Sequence, residues 1–527
     1  MKTNNGDFCY DSTENSLLEF FSKAGSLFKN KKSYYGNEAS AVGLFKSAWS
    51  TNNYKAMQLA MYIRDCRGGA ANRSGFRDII NWISNKDSSW LECNMHFIPF
   101  VGRWDDLESL INTPCENNAL SFWVRAIFEG NQLAAKWAPR EDKNKVVFSK
   151  MRKIAKMNPK EFRKLLVKNT NVVETSMCQN EWTEIDFNKV PSVAMARYNK
   201  AFKKHDTARY DQWKGALEKG VDEDGNEVKV NASVLFPHDI IRSVKANYGS
   251  DFKLENAQFA ALPNYMEGAN MRIMPICDFS GSMNTSVSGS IQAIDVSTGL
   301  GLYCSDKVGE KNPFYRKLIP FSNTSKLVDW KKCTFGQAVT EINNGFCGST
   351  NIASALDQIL SSAKMFNATN DQIPNCLLIL SDMQFDQGVG DSEGTVVEKC
   401  MKRWENEGYN RPTIIYWNLA GYAGSPSTKT HENVALVSGF SPSILKAVLG
   451  GEDFSPMAIL DRAIEKYDVV DPNNPFKDKP KNTKNTKKVN KEVKKEEVDI
   501  KDEYIKKYED NEPKVRGKVA SKKIKKG

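Results

Sequence analysis

The sequence of 527 residues lacks the signals that mark several common classes of protein. No apolar run approaches the roughly 18 residues that a membrane-spanning helix needs. The first residues, MKTNNGDFCYDSTEN, lack the charged and then apolar pattern of a secretory signal. Eleven cysteines are spread along the chain without a C-x-x-C pair, which disfavours a disulfide scaffold and favours a reducing compartment. We therefore expect a cytoplasmic protein that does not enter a membrane.

The familiar motifs of catalysis are also missing. The four histidines form no H-E-x-x-H or H-x-x-x-H pattern, and the sequence contains neither a G-x-S-x-G elbow nor a phosphate-binding G-x-x-x-x-G-K-[ST] loop. A hydrolase that used a bound metal would need a general base or nucleophile beside it, and the sequence offers none. We therefore expect a protein that is not an enzyme.

The positive charge is concentrated at the end of the chain. Residues 477–527 contain 19 Lys and Arg against 10 Asp and Glu, a net charge of +9, so only +1 of the total of +10 remains for residues 1–476. The Lys, Glu, Asn and Pro composition after residue 471 cannot bury enough apolar surface to fold, which predicts a disordered basic tail. Such a tail attracts RNA by counterion release or serves only solubility.

The pattern of apolar residues divides the rest of the chain into two parts. Residues 1–265 show the i, i+3, i+4 spacing of short amphipathic helices separated by Gly and Pro, which predicts a helical domain that stacks either as a bundle or as a HEAT-like helical-repeat solenoid. Residues 266–470 alternate short apolar runs with amphipathic helices, which predicts a Rossmann-like α/β domain with a mostly parallel sheet. Pro275 lies inside the first apolar run, RIMPIC, so we expect a bulge or an unpaired position there.

Five oxygen-bearing side chains follow three elements of the α/β domain. The string DFSGS places Asp278, Ser280 and Ser282 after the first strand, Thr350 precedes a helix, and Asp382 ends the apolar strand NCLLILSD. Ligands collect at the carboxyl ends of parallel strands, and carboxylates and hydroxyls suit Mg²⁺ or another divalent cation. In the alternative interpretation, these residues only cap the helices that follow them.

These five residues resemble the metal-ion-dependent adhesion site of von Willebrand factor A domains, and the order of helices and strands from 268 to 468 is similar as well. The resemblance implies that the five side chains hold one divalent cation and leave a coordination position for an acidic group of a partner protein. Met383 stands where many such domains have Gly, which makes the third loop a departure from the family.

Further strings resemble an uncharacterised Ro-like, TROVE-related family. They are RDCRGG, GRWDDL, KWAPRE, NVVETSMCQNEWTEIDFNKVPSVA and LFPHDII in the helical part, followed by SDMQFD and VSGFS. Ro proteins carry a ring of helical repeats closed by an A domain, and they bind small structured RNAs and the single-stranded ends of misfolded RNAs. The resemblance implies a ribonucleoprotein component that binds RNA through its helical domain.

Basic residues near Trp104 and Trp137 are the candidates for RNA contacts, because phosphates bind Lys and Arg and unpaired bases stack on planar side chains. In the alternative interpretation they lie on a solvated helix face, with the tryptophans in the core. An alternative function of a different class is a protein-interaction scaffold that uses the metal site to bind an acidic group, without RNA. The candidate RNA contacts are Arg64, Arg67, Arg73, Arg103, Lys136 and Arg140, and further candidates are Arg77, Arg152 and Lys153.

Overall fold

The computed structural model describes most of the chain up to residue 474. The predicted disordered tail, 471–527, lies outside the described residues except for its first four positions. The described residues up to Pro472 belong to one compact unit. The described ranges are 2–27, 40–170, 172–232, 234–268, 270–288, 290–321, 325–343, 348–386, 394–420, 424–451 and 453–474.

The first part of the chain is helical, as predicted. Several helices begin with an asparagine whose side chain accepts a hydrogen bond from a backbone N–H of the first turn, including Asn52, Asn72, Asn144 and Asn158. No helix among the described residues is long and apolar enough to cross a membrane. The helices are α1 Ser16–Lys23, α2 Ala41–Thr51, α3 Asn53–Arg64, α4 Arg73–Lys86, α5 Ser89–Asn94, α6 Phe97–Val101, α7 Glu116–Phe128, α8 Gln132–Trp137, α9 Lys145–Ile154, α10 Pro159–Lys168, α11 Val173–Gln179, α12 Ser192–His205, α13 Thr207–Ala216, α14 Pro237–Ala246 and α15 Lys253–Ala260.

Strands and helices alternate in the second part of the chain, as predicted. The strands rich in Ile, Leu and Val are fully buried because helices cover both faces of the sheet. The elements are β1 Ile273–Asp278, β2 Ser286–Ser288, β3 Ile291–Gln292, α16 Ala293–Lys307, β4 Lys317–Phe321, β5 Val328–Asp329, α17 Phe335–Asn343, α18 Ile352–Met365, β6 Cys376–Ser381, α19 Val396–Asn406, β7 Thr413–Asn418, β8 Val434–Ser438, α20 Leu445–Leu449 and α21 Pro456–Ile464.

The main sheet has the strand order β5-β4-β1-β6-β7-β8, and every neighbouring pair is parallel except β4 and β5. Of the two alternatives expected at Pro275, the bulge is absent, since Pro275 pairs with Leu378 of β6 in an unbroken register, whereas the unpaired position is present on the β4 side. The pairing of β1 with β4 starts only at Ile276, so the proline lies outside that ladder. A central strand therefore accommodates this proline because pairing on one side begins after it.

Most of the molecule shares a single core. One cluster of buried apolar side chains runs from Leu17 in α1 to Val469 after α21 and includes both the helices and the sheet. A smaller cluster, which contains Phe187, Phe202 and Trp213, joins α12, α13 and the segment of Val228 and Val230 that follows an Asp-Gly turn. The helical and α/β parts are therefore continuous in their packing.

The helical part contacts the α/β part at both of its ends. Helix α1 packs against β8 and α3 packs against α21, while α14 packs on α16 and α17 and α15 packs on α17. Between these ends, α7, α8, α9 and α10 pack on one another. Packing between helices close in sequence is typical of helical repeats.

Two of the strings that carry the family resemblance, RDCRGG and VSGFS, lie where the helical and α/β parts join. The Asp65 carboxylate of RDCRGG accepts a hydrogen bond from the Tyr467 hydroxyl at 2.8 Å. Gly439 of VSGFS has a φ of +107° and lies so close to Ala70 that a Cβ at this position would be 2.9 Å from the Ala70 Cβ. These strings therefore have a structural role, which is to fit the helical part onto the sheet.

Candidate functional site

The three loops of the candidate metal site lie together at the carboxyl edge of the sheet. Strands β1 and β6 are parallel neighbours, which brings Asp278 next to the start of the loop that contains Asp382. The backbone N–H of Gly281 donates to the Gly348 carbonyl at 3.0 Å, and the Asp386 N–H donates to the Thr350 carbonyl at 3.1 Å. The convergence predicted from the sequence is therefore present in the fold.

Short hydrogen bonds fix the side chains of this site. The Asp278 carboxylate accepts from the Ser280 N–H at 2.9 Å and from the Ser381 hydroxyl at 2.5 Å. The Ser280 and Ser282 hydroxyl oxygens are 3.1 Å apart, and the Gln384 N–H donates to the Asp382 carboxylate at 3.1 Å. The loop N–H groups thus hold both carboxylates in place, because carboxylate oxygens are strong acceptors.

Two carboxylates are buried side by side in this site. Asp278 is 0% and Asp382 is 1% exposed. Burial, and then repulsion by the Asp382 carboxylate, raise the pKa of Asp278 to about 7, although hydrogen bonds from Ser280 and Ser381 act in the opposite direction. A divalent cation between the two groups would compensate their charge, so the donor set of two carboxylates and three hydroxyls fits Mg²⁺.

This pKa predicts the pH dependence of stability when a chelator is present. A carboxyl whose folded pKa lies above its unfolded value binds protons more tightly in the folded state, so stability rises as the pH falls from about 8 to 5. The contribution of Asp278 has a slope of up to about 1.4 kcal/mol per pH unit. Urea unfolding of the native protein and of Asp278→Asn across this range measures it. Identical slopes for both proteins would contradict the assignment.

Two features of the site escaped the sequence analysis. Ser381 orients Asp278 and also accepts a hydrogen bond from the Met383 N–H at 3.0 Å, although its place directly before Asp382 was a visible signal. Met383 has a φ of +64°, in the left-handed region that glycine adopts without strain. Met383 therefore adopts a backbone conformation that is also accessible to the Gly from which it departs.

The candidate arginines of the helical part surround a buried aspartate. Asp106 is 0% exposed and its carboxylate accepts from Arg64 at 2.7 Å, from Arg73 at 2.9 Å and from Arg77 at 2.8 Å. Burial alone would raise the pKa of Asp106, but the three guanidinium groups outweigh burial and lower it to about 2. Asp106 therefore holds α3, α4 and the GRWDDL segment together.

The structure corrects part of the predicted RNA surface. Arg64 is buried against Asp106, so its assignment as an RNA contact is wrong. Trp104 is also buried and stacks on Phe122, which leaves it in the core, as in the alternative interpretation. Arg73 and Arg103 are about one third exposed and form ion pairs with Asp105.

The remaining candidates lie nearer the solvent. Arg103 also stacks on Trp137 at 4.0 Å, and Lys136 lies 3.4 Å from the Glu174 carboxylate. Arg67 is exposed, whereas Arg140 is half-buried and donates to the Ala135 carbonyl at 3.3 Å. These residues do not form one continuous patch of unpaired charge. Their number alone is therefore weak support for an RNA-binding surface.

A stronger basic surface lies on α9 and α10. Residues 143–170 contain ten Lys and Arg and a single acidic residue, Glu161, which gives a net charge of +9. Both helices bury an apolar stripe, where the Phe148 and Phe162 rings meet at 5.4 Å, and turn their basic residues outward. On α10 these residues are at i, i+3, i+4 and i+8. We call this surface the basic face and define it by Lys145, Arg152, Lys153, Lys156, Lys160, Arg163, Lys164 and Lys168.

Little negative charge compensates the basic face. Glu161 is committed to a capping box with Asn158, in which the two residues exchange hydrogen bonds of 2.9 Å. Arg163 pairs with Glu141 at 2.6 Å. The seven other members of the basic face make no ion pair with any residue that the structure describes. The sequence analysis selected only Arg152 and Lys153 from this surface, because the near-neutral total for residues 1–476 concealed the local excess of positive charge.

Two family models match successive parts of the chain. Residues 3–119 and 125–270 match the family model DUF2828, and residues 272–499 match DUF7788; both are described as domains of unknown function. The chain is 24% identical over 525 residues to the uncharacterized protein L728 of Acanthamoeba polyphaga mimivirus. This alignment covers 88% of this chain and 87% of that protein. The crystal structure of the Deinococcus radiodurans Ro (RSR) protein covers 86% of this chain and 100% of its own, with 11% identity and a TM-score of 0.42. The two family models meet between the end of α15 and the start of β1.

Proposed function

We propose that this chain is a non-catalytic RNA-binding protein that holds small structured RNAs or single-stranded RNA ends on its helical part. The observation that supports this proposal best is the basic face of α9 and α10, because seven of its cations lack acidic partners among the described residues. Rows of exposed Lys and Arg neutralise the phosphates of nucleic acids and release counterions. The resemblance in sequence to Ro-like proteins agrees with RNA as the polyanion.

An exposed aromatic side chain lies next to the basic face. Phe128, at the end of α7, is 51% exposed. The Asn169 side chain, just after α10, donates to the carbonyl of the adjacent Ile127 at 2.7 Å, which fixes this position beside α10. An aromatic ring beside phosphate-binding cations suits a single-stranded segment, whose bases stack on such rings. Duplex RNA offers no unstacked base to this ring.

The salt dependence of binding tests the proposal. Gel shifts of the full chain with a single-stranded RNA are expected to weaken steeply between 50 and 200 mM salt, since each neutralised phosphate contributes about 0.7 to the slope of log Kd against log salt. Protein purified from cells should also carry an ultraviolet spectrum with an RNA component. A flat salt response, together with a protein partner whose capture requires Asp278, would favour the scaffold alternative instead.

We also propose that Asp278, Ser280, Ser282, Thr350 and Asp382 hold Mg²⁺ and thereby brace the carboxyl edge of the sheet. The two buried carboxylates and their repulsion support this assignment. A cation bound only by the folded state stabilises it by about 2.7 kcal/mol at 100 times its Kd. Mg²⁺ should therefore raise the melting temperature of the native protein but not of Asp382→Ala. An equal rise in both proteins would contradict the site.

A further inference from the structure

The segment formed by residues 2–10, here called the strap, crosses the loop that follows β6. The Thr3 hydroxyl donates to the Phe385 carbonyl at 2.8 Å, and the Asn4 N–H donates to the Gln384 side chain at 2.9 Å. Gly6 forms an antiparallel bridge with Asp386. The strap is therefore bound to the same loop that carries Asp382, although more than 370 residues separate them in the sequence.

The far end of the strap is fixed to neighbouring elements. The Asp7 carboxylate accepts from the Val396 N–H at 3.0 Å, at the start of α19. Tyr10 and Ser425 exchange two backbone hydrogen bonds of 2.9 Å in the loop region after β7. These contacts hold the strap along the carboxyl edge of the sheet, where the candidate metal ligands lie.

One side chain of the strap reaches a candidate ligand. The Asn5 amide nitrogen donates to the Gln384 carbonyl at 2.6 Å and lies 3.2 Å from the Thr350 hydroxyl oxygen. Because a carbonyl only accepts, the Gln384 contact requires the NH₂ group of Asn5 on this side and excludes the flipped amide. The second N–H then points to the Thr350 hydroxyl oxygen and occupies one of its two lone pairs. The other lone pair of this oxygen stays available to a cation.

We propose that Asn5 is a positioning residue of the metal site and that the strap and the cation stabilise each other. This inference rests on the proposed metal site. Asn5 orients the Thr350 oxygen, while the Thr350 carbonyl is bound to Asp386, which the strap also bridges. By thermodynamic linkage, the free energy that the seated strap adds to cation binding equals the free energy that the cation adds to seating of the strap.

Titration of the full chain with Mn²⁺, followed by electron paramagnetic resonance, tests this inference. Asn5→Ala is expected to weaken Mn²⁺ binding about 10-fold or more, as is typical when a residue that orients a metal ligand is removed. Asn4→Ala is the matched control, since Asn4 contacts the loop through its backbone N–H. Asn4→Ala should bind Mn²⁺ within about 2-fold of the native protein, because the backbone hydrogen bond of residue 4 to Gln384 and the Asn5 contact to Thr350 are both retained. Asn4 and Asn5 are both exposed, so both variants should fold.

Hydrogen exchange provides the second readout. Saturating Mn²⁺ should slow exchange in peptides that cover the strap in the native protein, but not in Asp382→Ala. Native affinity in Asn5→Ala, an equal loss in Asn4→Ala, or unchanged exchange of the strap would each overturn the inference. Failure of the metal site itself is distinguishable, because the native protein would then bind no Mn²⁺, or Asp382→Ala would bind it equally well.

Discussion

Replacing Lys153, Lys156, Lys160 and Lys164 with glutamine is expected to weaken single-stranded RNA binding by about 100-fold or more at 0.1 M salt. Each lost phosphate contact removes about 0.7 from the slope of log Kd against log salt, so four losses lower the slope by about three. All four side chains are exposed, so the substitutions should leave the melting temperature unchanged. Fluorescence anisotropy at several salt concentrations measures both quantities.

The basic tail provides the matched control. Replacing Lys522, Lys523, Lys525 and Lys526 with glutamine removes the same charge from the same chain. If the basic face is the binding surface, this second variant should retain most of the affinity and of the salt slope. Equal losses in both variants would show that binding follows total charge, and the basic face would then have no special role.

Asp106→Asn is expected to destabilise the protein by about 3–5 kcal/mol, because it leaves the buried Arg64 guanidinium without a compensating charge. The Asp106 carboxylate also accepts hydrogen bonds from Arg73 and Arg77, so this single substitution disturbs three charge-assisted contacts. Chemical denaturation with tryptophan fluorescence measures the loss. A loss of stability under about 1 kcal/mol, as is typical of an exposed ion pair, would contradict this structural role of Asp106.

Asp142→Asn is the control for this substitution. The Asp142 carboxylate is 72% exposed and lies 3.9 Å from Lys143, so its removal should change stability by less than about 0.5 kcal/mol. The pH dependence also separates the two. Since the folded pKa of Asp106 is lowered to about 2, its contribution is fully present above about pH 4 and is lost as the pH falls through 2.

The meeting of the candidate metal ligands was predictable because parallel strands impose a geometry. Once β1 and β6 are neighbours, the residues that follow them must meet at one edge, and Asp278 and Asp382 do so. The strap was not predictable, since residues 2–10 have neither helical nor strand periodicity and depend on partners far along the chain. Asn5 carried no signal that distinguished it from the other asparagines.

The candidate RNA contacts show what the sequence alone could not predict. Arg64 and Asp106 are 42 residues apart, so only the fold could show that the arginine is buried against an internal carboxylate. The basic face is local in the sequence, but averaging the charge over the whole body obscured it. Charge counted over single helices, after the elements are known, finds Lys160 and Lys164, whereas the net charge of a domain does not.

Formaldehyde crosslinking of the full chain to its cellular RNA, followed by mass spectrometry of the crosslinked peptides, tests the central claim most directly. The account predicts that lysines of the basic face, residues 145–168, dominate the crosslinks and that the variant with four glutamines loses them. Crosslinks confined to the tail, or to the loops around Asp278 and Asp382, would contradict an RNA-binding surface on α9 and α10.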